Sequence, residues 1–304
     1  MRVLIIGNKA NPRAFDAVFQ MIAYFQSLDI EPVVLDVTDI PPSSFVYSGS
    51  PITEISEALV GDFIMAITLG GDGTILHSAR ITTMLDVPVF GANFGHLGFL
   101  CNEVDEGIIP MLAAALSGDV TVDARTTLRI DVVCEGDEEV LERGEAHDGP
   151  RTFFAVNEIS IARGAMGHIV DFDVEIAGDL VAHMRGDGVV VATATGSTAY
   201  ALSAGGPLIA PGYRGLVVVP VAPHTLSSRP VVTESQDVVE VTLTKDDRQE
   251  EISLFADGDA LKFDRPVRRV IVRCGDVPLR LMKYRKTSFY KQLSQTFFGE
   301  KQTN

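Results

Sequence analysis

Positive charge is scarce in this chain. Lys and Arg number 25 against 41 Asp and Glu, which gives 304 residues a formal net charge of −16. No global positive field exists to recruit a nucleic acid or an anionic membrane surface. Long apolar runs are also missing. None approaches the ~18 residues that span a bilayer. Val3-Leu4-Ile5-Ile6 is too short for the core of a signal peptide and is expected to be a first strand. Cysteine is rare: Cys101, Cys134 and Cys274 are few, odd in number and far apart. They have no metal-binding spacing, so a reduced, cytoplasmic setting is the expectation. A Walker A pattern is lacking, and no G-x-G-x-x-G follows the first strand, so neither a P-loop nor a dehydrogenase-type nucleotide site is expected.

The first ~118 residues alternate strand and helix signals. Val3–Gly7, Pro32–Val37, Phe63–Leu69 and Val87–Gly91 read as strands, and Ala14–Leu28 and Asp105–Ser117 as helices. Phe15, Val18, Phe19, Ile22 and Phe25 recur at helical spacing, and Gly118 stands where a C-cap would. The pattern predicts a parallel sheet covered by helices. Beyond Gly118 short β-branched runs are separated by turns such as Ala177-Gly178-Asp179, Lys245-Asp246-Asp247 and Asp257-Gly258-Asp259. The last of these runs are Val267–Val272 and Leu279–Lys283. The expected fold class is therefore an α/β N-terminal domain, residues 1–120, followed by a β-rich domain, residues 121–285. The helical tail, residues 286–304, is expected to pack back on the first domain. The acidic stretch Asp131–Asp148 reads as a solvated hairpin loop.

Five segments carry candidate chemistry. Gly70-Gly71-Asp72-Gly73-Thr74 lies between a strand and a helix, where backbone N–H groups and the helix dipole attract phosphate. Glycine lets the backbone approach an anion and adopt positive φ. Asp72 does not belong in a simple anion cradle, so it either holds a metal ion or accepts a proton from a hydroxyl. Phe90–Leu100, with Gly91, Asn93, Gly95 and Gly98, follows the next strand and is expected beside the first loop. Asn157-Glu158 pairs an amide with an acid. Arg185-Gly186-Asp187-Gly188 leads through a strand to Thr195-Gly196-Ser197-Thr198-Ala199-Tyr200 and Ser203–Pro207, with more hydroxyls than capping requires. Tyr200 offers a flat aromatic face. Pro220–Pro230 sets His224 and Arg229 in a proline-stiffened loop.

In order and spacing these five segments resemble the NAD kinase family, from about Ile64 to Val232. The resemblance implies transfer of the γ-phosphoryl of ATP, or of polyphosphate, to the 2′-hydroxyl of the adenosine ribose of NAD. It implies Mg²⁺ or another divalent cation with the ATP, Asp72 as general base, and a dimer or tetramer. It places Gly73 and His77 in the first loop, and Phe99 closing on the dinucleotide. Asn157 and Glu158 would bind ribose or adenine. His168, Arg185 and Asp187 would meet the ligand at its nicotinamide end or across a subunit interface. Thr195, Thr198, Ala199, Tyr200, Ala201, Leu202 and Ser203 would hold the adenine and nicotinamide groups. Ala222 would line the adenine pocket, with the role of His224 left open. Asp257-Gly258-Asp259 departs from the family's Asp-Gly-Gln, and Met184 stands where an aromatic is common. Two alternatives remain at this level: a lipid or sugar kinase with a similar glycine-rich loop, and a non-catalytic NADP(H)-binding sensor.

Overall fold

The computed structural model describes residues 1–7, 11–40, 59–94, 98–105, 107–137, 151–164, 167–244, 252–285 and 288–299. Glu138–Asp148 of the acidic stretch, the Lys245-Asp246-Asp247 turn and Gly95-His96-Leu97 lie outside the described residues. The chain divides into two compact units. One takes residues up to 40, 55–124 and those from 279 onward, and the other centres on residues 125–278.

The first unit is an α/β domain. Its sheet runs in the order Glu31–Asp36, Arg2–Gly7, Phe63–Leu69, Val89–Asn93, Leu279–Lys283, Thr121–Arg125. The first five strands pair in parallel. Arg2–Gly7 and Val89–Asn93 are buried almost throughout, as expected of strands covered on both faces. The helix α1, Pro12–Ser27, starts two residues before the expected Ala14. Asn11 caps it by accepting from the amides of Arg13 and Ala14, and Pro12 fits the first turn. Its buried stripe is Ala14, Ala17, Met21 and Phe25. Phe15 and Phe19, expected to face the core, are exposed and stack edge-to-face on each other at 5.1 Å. Small alanines, rather than rings, fit closest to the sheet. The second helix, α2, spans Asp72–Met84, and a third, α3, spans Ile108–Ser117 and ends at Gly118 in the left-handed conformation, φ 81°.

The second unit is β-rich, with two antiparallel six-stranded sheets. One apolar core draws on both: Phe172, Val241 and Val270 from one sheet, Ile161, Val191 and Leu254 from the other. Strands with one wet face alternate, as in Val239–Leu243. Gly188–Ala192 is buried at every position. Its second face is covered by Ala201, which packs with Val190, Ala192, Val217 and Val219.

Thr121–Arg125 and Leu279–Lys283, expected in the β-rich domain, lie in the first unit's sheet. Leu279–Lys283 pairs with Val89–Asn93 through Leu281 and Val89. A period of two reveals a strand but not the sheet it joins. Asn102 fastens this late strand. Its buried amide donates to the carbonyls of Gly91 (3.0 Å) and Met282 (2.9 Å) and accepts from the amide of Tyr284 (3.0 Å). Among the described residues no helix is long and apolar enough to cross a membrane. Truncation by Asn102→Ala removes three hydrogen bonds from backbone groups of this sheet, and is expected to cost about 2–4 kcal/mol. Urea denaturation, read as a lower midpoint with unchanged slope, checks it.

Candidate active site

The strand Phe63–Leu69 delivers the chain into Gly70-Gly71, and α2 begins at Asp72 itself rather than near Ile75. None of Gly70, Gly71 and Gly73 has a positive φ, contrary to expectation. Their roles are steric and differ. A Cβ on Gly70 would overlap the Thr74 side chain, whereas Cβ atoms on Gly71 and Gly73 would meet nothing within 4 Å. Nothing in packing or backbone conformation demands glycine at 71 and 73. Their lack of side chains keeps the front of the helix N-terminus clear, which suits an approaching phosphate.

The Asp72 carboxylate is heavily bonded. Oδ2 accepts from the amide of Phe99 at 2.7 Å, and Oδ1 from the amides of Leu100 (3.0 Å) and Cys101 (3.3 Å). The Phe90–Leu100 segment thus lies against the first loop, as its position after the neighbouring strand predicts. A carboxylate offers about four acceptor sites, so one remains, on Oδ2. Gly98 is the residue that lets the carboxylate sit so close, because a Cβ there would overlap all three carboxyl atoms. Cys101, whose thiol burial pushes far above its ordinary range, stays protonated and donates to the Gly70 carbonyl at 3.4 Å.

Other residues of the first unit take less expected positions. Phe99 meets two rings of the tail, tilted against Phe289 at 6.2 Å and stacked on Phe297 at 6.1 Å. Gln292, also in the tail, donates to the Gly98 carbonyl. His77 lies on α2 beyond the loop, and its Nε2 donates to the Ile40 carbonyl at 2.8 Å.

In the second unit, Asn157, Glu158 and the turn after Thr195 form one corner. The Asn157 carbonyl accepts from Thr193, and a Cβ on Gly196 would strike the Asn157 backbone. The surplus hydroxyls have structural partners. Thr195 accepts from Arg125, Ser197 donates to Ala194 and accepts from Ile209, and Thr198 donates to the Thr195 carbonyl. These bonds fasten the turn and tie it to Arg125 and Ile209. Ala201 is a core side chain, so only its backbone is available to a ligand. Tyr200 is 42% exposed and Ser203 is exposed, whereas Ala199 and Leu202 are half-buried.

Glu158 is buried. Desolvation, with Asp257 adding repulsion, pushes its carboxyl up to about 8 despite a bond from the Tyr200 amide. Asp257 accepts from the amides of Val156 (2.7 Å), Asn157 (2.7 Å) and Glu158 (3.2 Å). Burial raises it to about 6 against those bonds. Sequence reasoning missed this fastener. The available signal was Asp257-Gly258, which forms a two-residue hairpin with φ 49° and 89°.

Arg185 and Asp187 are paired: Arg185 with Asp171 at 2.7 Å, Asp187 with Arg163 at 3.2 Å. Ala222, exposed, holds a positive φ of 45° beside them, with His224 donating its amide to the Arg185 carbonyl. His168 is exposed.

Comparison with known proteins agrees with this layout. The ATP-NAD kinase N-terminal domain matches residues 36–120 and the ATP-NAD kinase C-terminal domain residues 156–284. The chain is 33% identical over 297 residues to the NAD kinase of Aromatoleum aromaticum, covering 96% of this chain and 92% of that one. It is 33% identical over 234 residues to that of Geobacter sulfurreducens, covering 77% and 75%. The crystal structure of an NAD kinase from Archaeoglobus fulgidus in complex with ATP superposes with a TM-score of 0.66 at 26% identity, covering 94% of this chain and 95% of that one. Yeast NADH kinase complexed with NADH shares the fold, with a TM-score of 0.78 at 23% identity, covering 100% and 89%.

Two predictions follow from the geometry. Gly98→Ala drives the carboxylate off its amides and is expected to lower the family's kinase turnover at least ~10-fold, and the melting temperature with it as charge-assisted bonds are lost; steady-state kinetics and thermal melts check it. The folded protein holds the Glu158 proton more tightly than the unfolded chain does. The stability this confers is full below the ordinary carboxyl range and is lost as pH rises through about 8. Melting curves of Glu158→Gln across that window should show a shallower decline than the parent.

Proposed function

The chain belongs to the NAD kinase family, and from that premise we propose that it transfers the γ-phosphoryl of ATP to the 2′-hydroxyl of the adenosine ribose of NAD, giving NADP. The observation that carries this reading is Asp72: a carboxylate at the first residue of a helix, fixed by three amides, with one acceptor site left and no side chain at 71 or 73 in front of it. A ribose hydroxyl is a poor nucleophile until its proton has an acceptor, and Oδ2 supplies one. The O–H bond breaks toward Oδ2 and the hydroxyl oxygen bonds to the γ-phosphorus. The bond from that phosphorus to the β–γ bridging oxygen breaks, and ADP leaves with its electron pair. Phosphoryl transfer otherwise depends on positioning and charge neutralisation.

Among the described residues no three His, Cys, Asp or Glu side chains converge on one point. In this reading the divalent cation enters with the nucleotide substrate, held by its phosphates. With net charge −16, that neutralisation also lowers the repulsion ATP meets on approach. Polyphosphate, presenting the same terminal group, is a second candidate donor.

Asn157, Glu158 and the turn from Thr195 to Ser203 hold the dinucleotide in this reading. Glu158 keeps its proton in neutral solution and can donate to a ribose or base. His168, Arg185 and Asp187 serve the nicotinamide end or a neighbouring subunit of a cytoplasmic homo-oligomer, and Ala222 lines the adenine pocket. The ATP complex of the Archaeoglobus relative and the NADH complex of the yeast one support a site that takes both nucleotides.

Purified protein given ATP, Mg²⁺ and NAD is expected to form NADP, read by an NADP-specific dehydrogenase. Folded protein that forms none overturns the reading. Asp72→Asn is expected to lower kcat by about 10²–10⁴-fold while NAD affinity stays within about threefold.

A further inference from the structure

The three amides that hold Asp72 belong to residues whose carbonyls are themselves held, on the other side, by one cation. Lys283 Nζ donates to the carbonyls of Leu100 (2.7 Å), Phe99 (3.3 Å) and Cys101 (3.4 Å). An ammonium has three protons, and three carbonyls receive them. Two consecutive peptide units are bonded at both ends. The unit joining Phe99 to Leu100 gives its N–H to Asp72 and its C=O to Lys283. The unit joining Leu100 to Cys101 does the same. In a trans peptide these groups point in opposite directions, so both dipoles run from the carboxylate to the ammonium. Hydrogen bonds in such a chain polarise one another and strengthen.

The placement of Lys283 is itself fixed. Asn102 bonds the residues on either side of it, Met282 through its carbonyl and Tyr284 through its amide. Lys283 is half-buried at the end of the strand Leu279–Lys283. Nothing in strand formation asks for an ammonium there.

We infer that Lys283 is a positioning residue for the Asp72 carboxylate, acting through the Phe99–Cys101 peptides that the two side chains clamp between them. This rests on the role of Asp72 in the proposed kinase reaction. Without Lys283 the three carbonyls lose a common partner, the amides opposite are no longer held in line, and the carboxylate loses its fixed orientation. Nucleotide affinity does not depend on that orientation to the same degree, so the loss falls on kcat.

The test compares the full chain with Lys283→Met, Lys283→Arg and both combinations with Asp72→Asn, each checked for folding by circular dichroism. Lys283→Met should lower kcat about 10–100-fold, with KM for NAD and for ATP within about threefold. Lys283→Arg, which retains charge and donors in a different shape, should recover most of that loss. In the Asp72→Asn background, Lys283→Met should cost less than about threefold more, because a residue acting only through the carboxylate has nothing further to remove. Unchanged kcat, a change confined to KM, or full additivity with Asp72→Asn overturns the inference. If Lys283→Met does not fold, Lys283→Gln takes its place under the same criteria. A wild-type protein that forms no NADP refutes the proposed function and this inference with it. Wild-type NADP formation beside an unaffected Lys283→Met refutes this inference alone.

Discussion

A carboxylate that accepts consecutive backbone amides organises the first unit's loops. Asp72 takes three of them, from Phe99, Leu100 and Cys101. Those bonds fix which way the glycine-rich turn faces and hold the chain that follows Val89–Asn93 against it. Gly98 must be without a side chain for the carboxylate to fit, and Gly91 for Ile75 of α2 to pass. Gln292 and the ring of Phe297 then meet the outer side of the same loop. Each of these choices is intelligible only once the carboxylate is in place.

The second unit repeats the device with different consequences. Asp257 takes the amides of Val156, Asn157 and Glu158, and so tethers a hairpin tip to the strand end that bears the Asn-Glu pair. Among the described residues no lysine donates to the carbonyls of these peptides, and a second acid, Glu158, lies close. Desolvation and repulsion are answered by proton uptake: Asp257 rises to about 6 and Glu158 to about 8. One arrangement keeps a charge fixed and accessible; the other keeps a buried acid neutral and able to donate.

Much of this was legible in the residue order. The parallel-sheet strands, the C-cap at Gly118 and the β-rich texture beyond it follow from periodicity and glycine placement, which act locally. The glycine-rich loop and its acid were legible because strand, loop and helix signals are contiguous. What could not be read is what lies far apart in sequence. The sheet membership of Leu279–Lys283, the grip of Asp257 on Val156–Glu158 and the clamp of Lys283 on Phe99–Cys101 join residues about 100 to 190 positions apart. Local signals also misled where two explanations share one residue type. The hydroxyls of Thr195, Ser197 and Thr198 read as a surplus for a ligand, yet each already has a partner within the protein. Phe15 and Phe19 read as core, yet Ala14 and Ala17 are the buried positions of that stretch.

The strand Leu279–Lys283 sits inside a sheet whose other strands were translated long before it. Lys283 and the carbonyl of Leu100 are separated by 183 residues. On the ribosome the β-rich unit is complete before that strand emerges, while the half-sheet of the first unit waits with an unfilled place between Val89–Asn93 and Thr121–Arg125. Contacts of such long separation form slowly, because loop closure precedes their reward. A chain that stops short of this strand carries the whole glycine-rich signature beside an unfilled place in its sheet, and the first unit closes only once residues 279–283 have been made.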